Sequence, residues 1–193
     1  MNLPTWSDVN EFWFGPRPVD AKRISRPEWF GKAPEFDQTI RSRFVPLIES
    51  AATGGCAEWL ATATSNLALC LVLDQFPRNA FRNTPRAFGT DPAALAAARH
   101  AVASGFDRAL DPIERWFIYL PFEHSESLAD QDEAVRLFDA LPAGPEHDNT
   151  RDYARRHREV IAAFGRFPHR NVILGRTSTA DELVFLAKPG SSF

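Results

Sequence analysis

The sequence predicts an all-α fold, in a single domain of about seven or eight antiparallel helices. Apolar residues recur at helical spacing along most of the chain, and no segment shows the sustained alternation that is typical of a strand. Helix-start and helix-stop residues flank the same segments. A chain of 193 residues fills one core well and is short for two. We therefore interpret residues 1–193 as one helical domain.

The first half of the chain contains three predicted helices. A short helix covers about 9–14, and a longer one carries an apolar stripe from Phe36 to Ile48, which Pro46 should kink or divide. The third runs from Ser65 to Gln75, and its segment NLALCLVL is apolar on every side. A helix tolerates that pattern only when protein surrounds it. We expect it to be the central helix.

The second half contains five predicted helices, most of them with recognisable ends. They are an Ala-rich helix over 92–105, a helix over 112–120, another over 128–138, a fourth over 153–164 and a last one after 179. The predicted N-caps are Asp91, Asp111, Ser127 and Thr179, the last in a capping box with Glu182. Pro112 suits a first helical position, and Gly165 a helix end. Short loops containing Pro and Gly join the helices.

Composition and charge exclude several classes of protein. A formal net charge of −3 argues against attraction of the whole surface to nucleic acid or to an anionic membrane. The stretch RDYARRHRE is Arg-rich, but it contains acidic partners at helical spacing, as in Asp152 and Arg156, and favours a solvated helix face. Cys56 and Cys70 match no disulfide or metal pattern, and the chain lacks a signal segment and a membrane-length apolar run. We expect a cytoplasmic protein with reduced thiols.

Two similar segments, DQFPRN at 74–79 and GRFPHRN at 165–171, raise a functional question. Proline restricts the residue before it to extended backbone, so Phe76 and Phe167 should mark the ends of helices. A rigid corner with a buried aromatic ring holds its polar neighbours at fixed positions, as a binding site requires. The candidate ligand-binding residues near these corners are Asp74, Arg78, Asn79, Arg82, Arg166, His169, Arg170, Asn171 and Arg176.

A third proline-marked segment, LPFEHSE at 120–126, supplies candidate catalytic groups. His124 titrates near neutral pH, and Glu126 or Glu123 could orient it or balance the arginines. The neighbouring serines also suit helix caps, so a purely structural role for this segment stays open. Of the other histidines, His157 lies on an apolar helix face and is expected in the core, whereas His100 and His147 are expected at the surface.

A structural interpretation of the corner residues also stays open. Cations near a helix C-terminus stabilise its exposed carbonyls, Asn favours turns, and Asp74 could simply pair with Arg78. Five arginines on two corners nevertheless need either carboxylates or an anionic ligand to balance them. The sequence contains no metal-ligand spacing, phosphate-cradling glycine loop, dinucleotide fingerprint or nucleophile elbow, so we predict no metal and no cofactor.

Four of these motifs carry a family resemblance. LVLDQFPRNAFR, LPFEHSE, FGRFPHRN and LGRTSTADE resemble, in order, the successive motifs of the bacterial family called domain of unknown function 924. The resemblance runs over about residues 8–187. It implies an all-α fold similar to the tetratricopeptide-like superfamily, built of antiparallel helix pairs. It implies no established activity, so no catalytic residue carries over from the family.

Three functions remain as hypotheses. The leading one is a pocket of Arg, His and Asn side chains that binds an anionic small molecule or a peptide end. The alternative is a hydrolase or group transferase for an anionic substrate, with His124 as general acid or base and Glu126 or Asp74 orienting it. The third is purely structural, with the motif residues tying helix ends together. The first two require the three corners to meet in space, and the sequence predicts no oligomeric state.

Overall fold

A computed structural model of the chain describes residues 2–16 and 22–191. All regular secondary structure in these residues is helical, which confirms the predicted fold class. Residues 1, 17–21 and 192–193 of the predicted domain lie outside this description. The described part contains eight α-helices: α1 (Trp6–Phe14), α2 (Pro34–Ala52), α3 (63–80), α4 (Asp91–Ala103), α5 (Pro112–Glu123), α6 (Leu128–Asp139), α7 (Pro145–Phe164) and α8 (Ala180–Leu186).

Several helix ends form as their sequence signals predict. The Asp111 side chain accepts the backbone N–H of Ile113 at the start of α5, with proline in the first helical position. Thr179 and Glu182 form a reciprocal capping box at the start of α8. Gly165 ends α7 with a φ of 68°, a left-handed conformation that glycine adopts without a steric penalty.

Three other predictions about the helices need correction. Thr90 is the residue that precedes α4, and Asp91 is the first residue inside the helix. Ser127 precedes α6 as predicted, but its side chain makes no capping hydrogen bond. Of the two effects predicted for Pro46, division of α2 does not occur, because the helix is continuous from Pro34 to Ala52. A kink at Pro46 stays a prediction.

Helix α3 is central, as its uniformly apolar sequence predicts. It consists of the α-helical segment Ala63–Cys70, a π-helical turn over Leu71–Gln75 and a final α-helical segment Phe76–Ala80. Every residue from 67 to 77 is buried. Helices α1, α2, α4 and α5 pack around it. Burial on all sides explains why this helix carries no polar face.

The first and third proline-marked segments do not end their helices. Helix α3 continues through Pro77, and α5 continues past Pro121 to Glu123, so the predicted helix ends at Phe76 and Leu120 are wrong. The second segment does follow a helix end, because Phe167 is extended with φ −88° and ψ 106° after the glycine that closes α7. The difference arises because packing of α3 and α5 inside the core outweighs the local preference of proline.

Two apolar clusters stabilise the fold. The larger draws buried residues from every helix from α1 to α7 and includes close aromatic contacts, such as that of Trp13 with Phe117 at 5.4 Å between ring centroids. The smaller joins α7 to the segment after it, through Val160, Ile161 and Phe167. No helix within 2–16 or 22–191 has both the length and the apolar character needed to cross a membrane.

Candidate functional site

Side chains from all three proline-marked segments meet in one hydrogen-bonded network, which we call the central cluster. His124 Nδ1 lies 2.8 Å from Asp74 Oδ1, and Arg78 Nη1 lies 3.2 Å from the same oxygen. Arg78 also donates to both oxygens of Asp91, at 2.9 and 3.1 Å. Arg170 Nη1 then reaches Asp91 Oδ2 at 3.4 Å. The meeting of the three segments that the binding and enzyme hypotheses require is therefore present for Arg78, His124 and Arg170.

Asp74 is the anion around which this cluster is built. Its carboxylate is buried and accepts hydrogen bonds from His124 and, at 2.5 Å, from Gln75 Nε2. Arg78 forms an ion pair with this carboxylate and donates to the backbone carbonyl of Asp74 at 2.6 Å. Burial alone would raise the pKa of this carboxyl, but the charge of Arg78 and the hydrogen bonds from His124 and Gln75 outweigh burial and hold the pKa well below its ordinary value. Asp74 is thus ionised at neutral pH.

His124 is neutral at neutral pH, in spite of its carboxylate partner. Burial and the positive charge of Arg78 lower the pKa of His124, and the opposing effect of Asp74 is smaller. Because the ionised Asp74 can only accept a hydrogen bond, Nδ1 of the imidazole carries the proton. The other nitrogen, Nε2, is then an acceptor, as in a histidine that acts as a general base.

Arg170 is a buried guanidinium with few partners. Its residue is 6% exposed, and Nε makes no hydrogen bond with any described residue. The guanidinium lies over the rings of Phe167 and Phe88, at 4.4 and 4.8 Å from their centroids. Burial, together with the neighbouring charge of Arg78, lowers the pKa of Arg170 to about 10. The contact of 3.4 Å with Asp91 compensates only part of this charge.

His169 stands beside Arg170 on the same short turn and is half-buried. Its ring lies 5.6 Å from that of Phe167. Burial is the main cause that lowers the pKa of His169 to about 4, and the charges of Arg170 and His124 contribute. The cluster therefore contains a second neutral imidazole at neutral pH.

A buried Glu–His pair adjoins the cluster. Glu123 Oε1 lies 3.0 Å from His157 Nδ1, which also donates to the carbonyl of Tyr153 at 2.8 Å. Burial, assisted by the charge of Asp74, raises the pKa of Glu123 to about 8, and burial lowers the pKa of His157 to about 3. Both groups are thus uncharged at neutral pH, so the contact is not a salt bridge.

We expected Glu126 either to orient His124 or to balance an arginine, and it does the second. Its carboxylate accepts both terminal nitrogens of Arg176, at 2.7 and 3.0 Å, and the backbone N–H of Phe167 at 2.9 Å. Burial would raise the pKa of Glu126, but these donors outweigh it and lower the pKa. Asp74 is the residue that orients His124, and Glu126 holds the 167–176 segment.

Arg166 and Asn171 also bind a protein carboxylate, that of Glu182. Arg166 donates to both oxygens of Glu182, at 2.6 and 2.8 Å. Asn171 Nδ2 donates to Glu182 at 3.2 Å, and its carbonyl oxygen accepts Arg176 Nε at 2.9 Å. These hydrogen bonds, led by those from Arg166, lower the pKa of Glu182 to about 2. The pairs fasten α8 to the corner after α7.

Asn79 and Arg82 lie apart from the central cluster, against α2. Both bind Asp37: Asn79 Nδ2 donates at 2.7 Å, and Arg82 donates through Nε at 2.6 Å and through Nη2 at 3.0 Å. Burial opposes ionisation of Asp37, but these donors outweigh it and lower its pKa. Their contacts join α2 to the end of α3.

The remaining histidines follow the predictions in part. His157 is buried and hydrogen-bonded, as expected, and His100 is exposed. His147 is not a surface residue: it is 2% exposed, and its Nδ1 accepts Trp116 Nε1 at 3.0 Å. The polar sequence around His147 favours a surface position. The local sequence does not show the partner that buries it, since Trp116 is 31 residues away.

Sequence reasoning also missed parts of the site. The sequence identifies Asp91 only as a helix cap and gives no role to Phe88. No local signal identifies either, since they act on Arg170, which is 79 residues beyond Asp91. Two surface cavities, of ≈ 360 and ≈ 520 Å³, lie elsewhere, and none of the predicted site residues lines them. Within the described residues no group of three or more His, Cys, Asp or Glu side chains is placed to hold a metal ion.

Comparison with known proteins identifies the family. Residues 9–190 match the family described as "Bacterial protein of unknown function (DUF924)". The chain belongs to this family. A solved structure similar to this DUF924 chain is that of a protein of unknown function from Agrobacterium tumefaciens, with 38% identity, a TM-score of 0.84, and coverage of 94% of this chain and 96% of that one. No curated protein matches the chain.

Proposed function

We propose that this DUF924 protein binds a small anionic ligand, a metabolite or a peptide end, at the central cluster. The observation that carries the proposal is Arg170, a guanidinium that is 6% exposed and has a buried Nε without a hydrogen-bond partner. Buried donors are almost always paired in folded proteins, so an unpaired one needs an explanation. A carboxylate or phosphate of a ligand supplies the missing acceptors.

The surroundings of Arg170 suit such a ligand. The guanidinium lies over Phe88 and Phe167, so its plane is fixed before a ligand binds. Arg78 shares Asp91 with Arg170, and His124 shares Asp74 with Arg78. The side chains of Arg78 and His124 are 18% and 14% exposed. A ligand can therefore reach both groups while most of their surface stays out of water.

The other predicted ligand-binding residues take supporting roles in this proposal. Carboxylates of the protein already pair with Arg82, Arg166 and Arg176, and the amides of Asn79 and Asn171 donate to the same carboxylates. We infer that these residues hold the corners in place and that Arg170, Arg78, His124 and His169 contact the ligand. In this proposal the purely structural hypothesis applies to the residues already paired with protein carboxylates, and not to the four residues that contact the ligand.

The test is a thermal-shift series with carboxylates and phosphates on the native chain, on Arg170→Met and on Arg158→Ala. Arg158 is a surface residue paired with Asp132, so its removal changes the net charge equally. A ligand that binds only the folded state raises the midpoint in a saturable way. We expect saturable shifts for the native chain and Arg158→Ala and none for Arg170→Met. Equal shifts in all three proteins, or none in the native chain, would overturn the proposal.

A second candidate function, an enzyme for anionic substrates, is favoured by the Asp74–His124 pair. A buried carboxylate orients a neutral imidazole and leaves Nε2 as a proton acceptor, which is the arrangement of a general base. Arg170 and Arg78 would then stabilise developing negative charge. Turnover of phosphate or carboxylate esters by the native chain, lost in His124→Ala with ligand affinity retained, would support catalysis. Binding without turnover of any such ester would favour a binding protein.

We further propose a cytoplasmic location and a tetratricopeptide-like pairing of the helices. Cys56 and Cys70 are both free and buried, which is consistent with a reducing compartment. Fractionation of the producing bacterium would test the location. An angle-by-angle comparison of consecutive helix pairs with tetratricopeptide repeats would test the pairing.

A further inference from the structure

The hydrogen-bonding state of His124 determines what kind of anion the central cluster prefers. Its Nδ1–H donates to the ionised Asp74 at 2.8 Å, so the ring cannot turn this nitrogen to a ligand. Nε2 therefore presents a lone pair, and it makes no hydrogen bond with any residue in 2–16 or 22–191. The site offers an acceptor at this position.

The two guanidinium groups of the cluster offer only donors, whereas its carboxylates, Asp74 and Asp91, already contact these arginines or His124. A guanidinium has no acceptor, and both Arg78 and Arg170 direct theirs into the cluster. Asp91 occupies two donors of Arg78 and one donor of Arg170, whereas Nε of Arg170 is unpaired. A ligand that satisfies the cluster must thus present an anionic oxygen to Arg170 and a hydrogen to the imidazole.

We propose, on the basis of the anion site proposed above, that the cluster selects anions that carry a hydroxyl group, with His124 as the residue that determines specificity. Hydroxy acids and hydrogen phosphate belong to this class, whereas simple carboxylates and sulfate do not. A hydroxyl donates to the imidazole nitrogen while the anionic oxygens accept from the arginines. An anion without a hydroxyl sets an oxygen lone pair against the lone pair of Nε2, and it loses affinity.

The experiment uses two pairs of probes that are matched in size and that differ in the hydroxyl: lactate with propionate, and inorganic phosphate with sulfate. Dissociation constants are measured by titration calorimetry at neutral pH on the full chain. We expect lactate and phosphate to bind about five to ten times more tightly than their partners, the effect of one hydrogen bond. Equal affinities within both pairs would overturn the inference while leaving the anion site intact.

Variants locate the selectivity. In His124→Ala we expect propionate and sulfate to bind as in the native chain and lactate and phosphate to fall to the same level. His124→Leu fills similar space without an acceptor and serves if the alanine variant does not fold. His100→Gln, at an exposed histidine, is the matched control and should keep the native preference. A preference that survives both changes at position 124 would overturn the assignment to His124.

Failure of the anion site itself gives a different result. If Arg170→Met binds all four anions as the native chain does, or if the native chain binds none of them, the proposed function is wrong. If Arg170→Met loses all four and His124→Ala loses only the preference, both proposals stand. The two inferences are therefore tested separately by the same titrations.

Discussion

Glu123 and Glu182 are both buried carboxyl groups, yet their surroundings shift their pKa in opposite directions. Glu182 accepts Arg166, the Thr179 N–H and Asn171, and its pKa falls to about 2. Among the described residues, the carboxyl of Glu123 has one polar contact, with Nδ1 of His157, so burial and the negative charge of Asp74 raise its pKa to about 8. The donors around each carboxyl thus decide whether burial keeps it charged or neutral.

The raised pKa of Glu123 makes the stability of the protein depend on pH. Above its ordinary pKa of 4.5 the unfolded chain releases this proton, whereas the folded chain keeps it up to about pH 8. The contribution of Glu123 to the free energy of unfolding therefore falls as pH rises through this window. Glutamine has nearly the shape of a protonated glutamate and no proton to lose.

We predict that Glu123→Gln gains stability over the native chain as pH rises from about 4.5 to about 8, and that the gain is then constant. Urea unfolding at a series of pH values measures it. Glu133→Gln removes a surface pair with Arg136 and should show no gain at any pH. A difference between Glu123→Gln and the native chain that does not change with pH would contradict the prediction.

At the scale of elements, α3 passes through Pro77 because other groups replace the hydrogen bonds that proline removes. The Phe76 N–H bonds to Leu71 O, five residues back, which is the π-helical pattern. Proline cannot donate to the carbonyl of Leu73, and the hydroxyl of Thr90 donates to it instead. This contact places Asp91, the next residue, against Arg78. The carbonyl left free by Pro77 thus binds Thr90, and this contact brings Asp91 into the central cluster.

Thr90→Val should lower the free energy of unfolding by about 1–3 kcal/mol, because it leaves the buried Leu73 carbonyl unpaired with little change in side-chain shape. Chemical denaturation of both proteins gives the difference. Thr84→Val is the matched control: its hydroxyl donates to Phe81 O in an exposed turn, where water can replace it. We expect this variant to stay within about 0.5 kcal/mol of the native chain. Equal losses in the two variants would argue against the role of Thr90.

At the scale of the whole molecule, polar contacts join the two apolar clusters. The smaller cluster, around Phe167, is separate from the main core. Glu126 binds the Phe167 N–H and Arg176, and Asp91 reaches Arg170 across 79 residues of chain. Because these links cross between the clusters, we expect the chain to unfold as one cooperative unit.

Calorimetry of the native chain should therefore show a single transition, with equal calorimetric and van't Hoff enthalpies. Glu126→Ala should loosen the segment 165–191, so that its amides exchange with solvent faster than those of α3 and α5. Glu133→Ala, at the surface, should leave exchange unchanged. Two transitions in the native chain would contradict the single-domain prediction, and uniform exchange in Glu126→Ala would contradict the role of Glu126.

Much of the fold was predictable from local patterns, and the site only in part. The cap at Asp111, the capping box at Thr179 and the glycine that ends α7 form as expected, because each depends on residues within one helical turn. The Asp74–Arg78 pair, one turn apart, was also foreseen. The continuation of α3 through Pro77 was not, since it depends on a hydroxyl 17 residues from the carbonyl it satisfies.

The sequence by itself determined the all-helical class, the central helix and the residue types of the site, because periodicity, capping and composition act at short range along the chain. Only the tertiary structure decided which carboxylate neutralises which arginine. Asp37, Asp91, Glu126 and Glu182 lie 13 to 79 residues from the arginines they bind, and sequence spacing carries no information about such contacts. Arg170 therefore differs from the other arginines for a reason that exists only in three dimensions: the fold buries it beside a carboxylate that is already shared with Arg78.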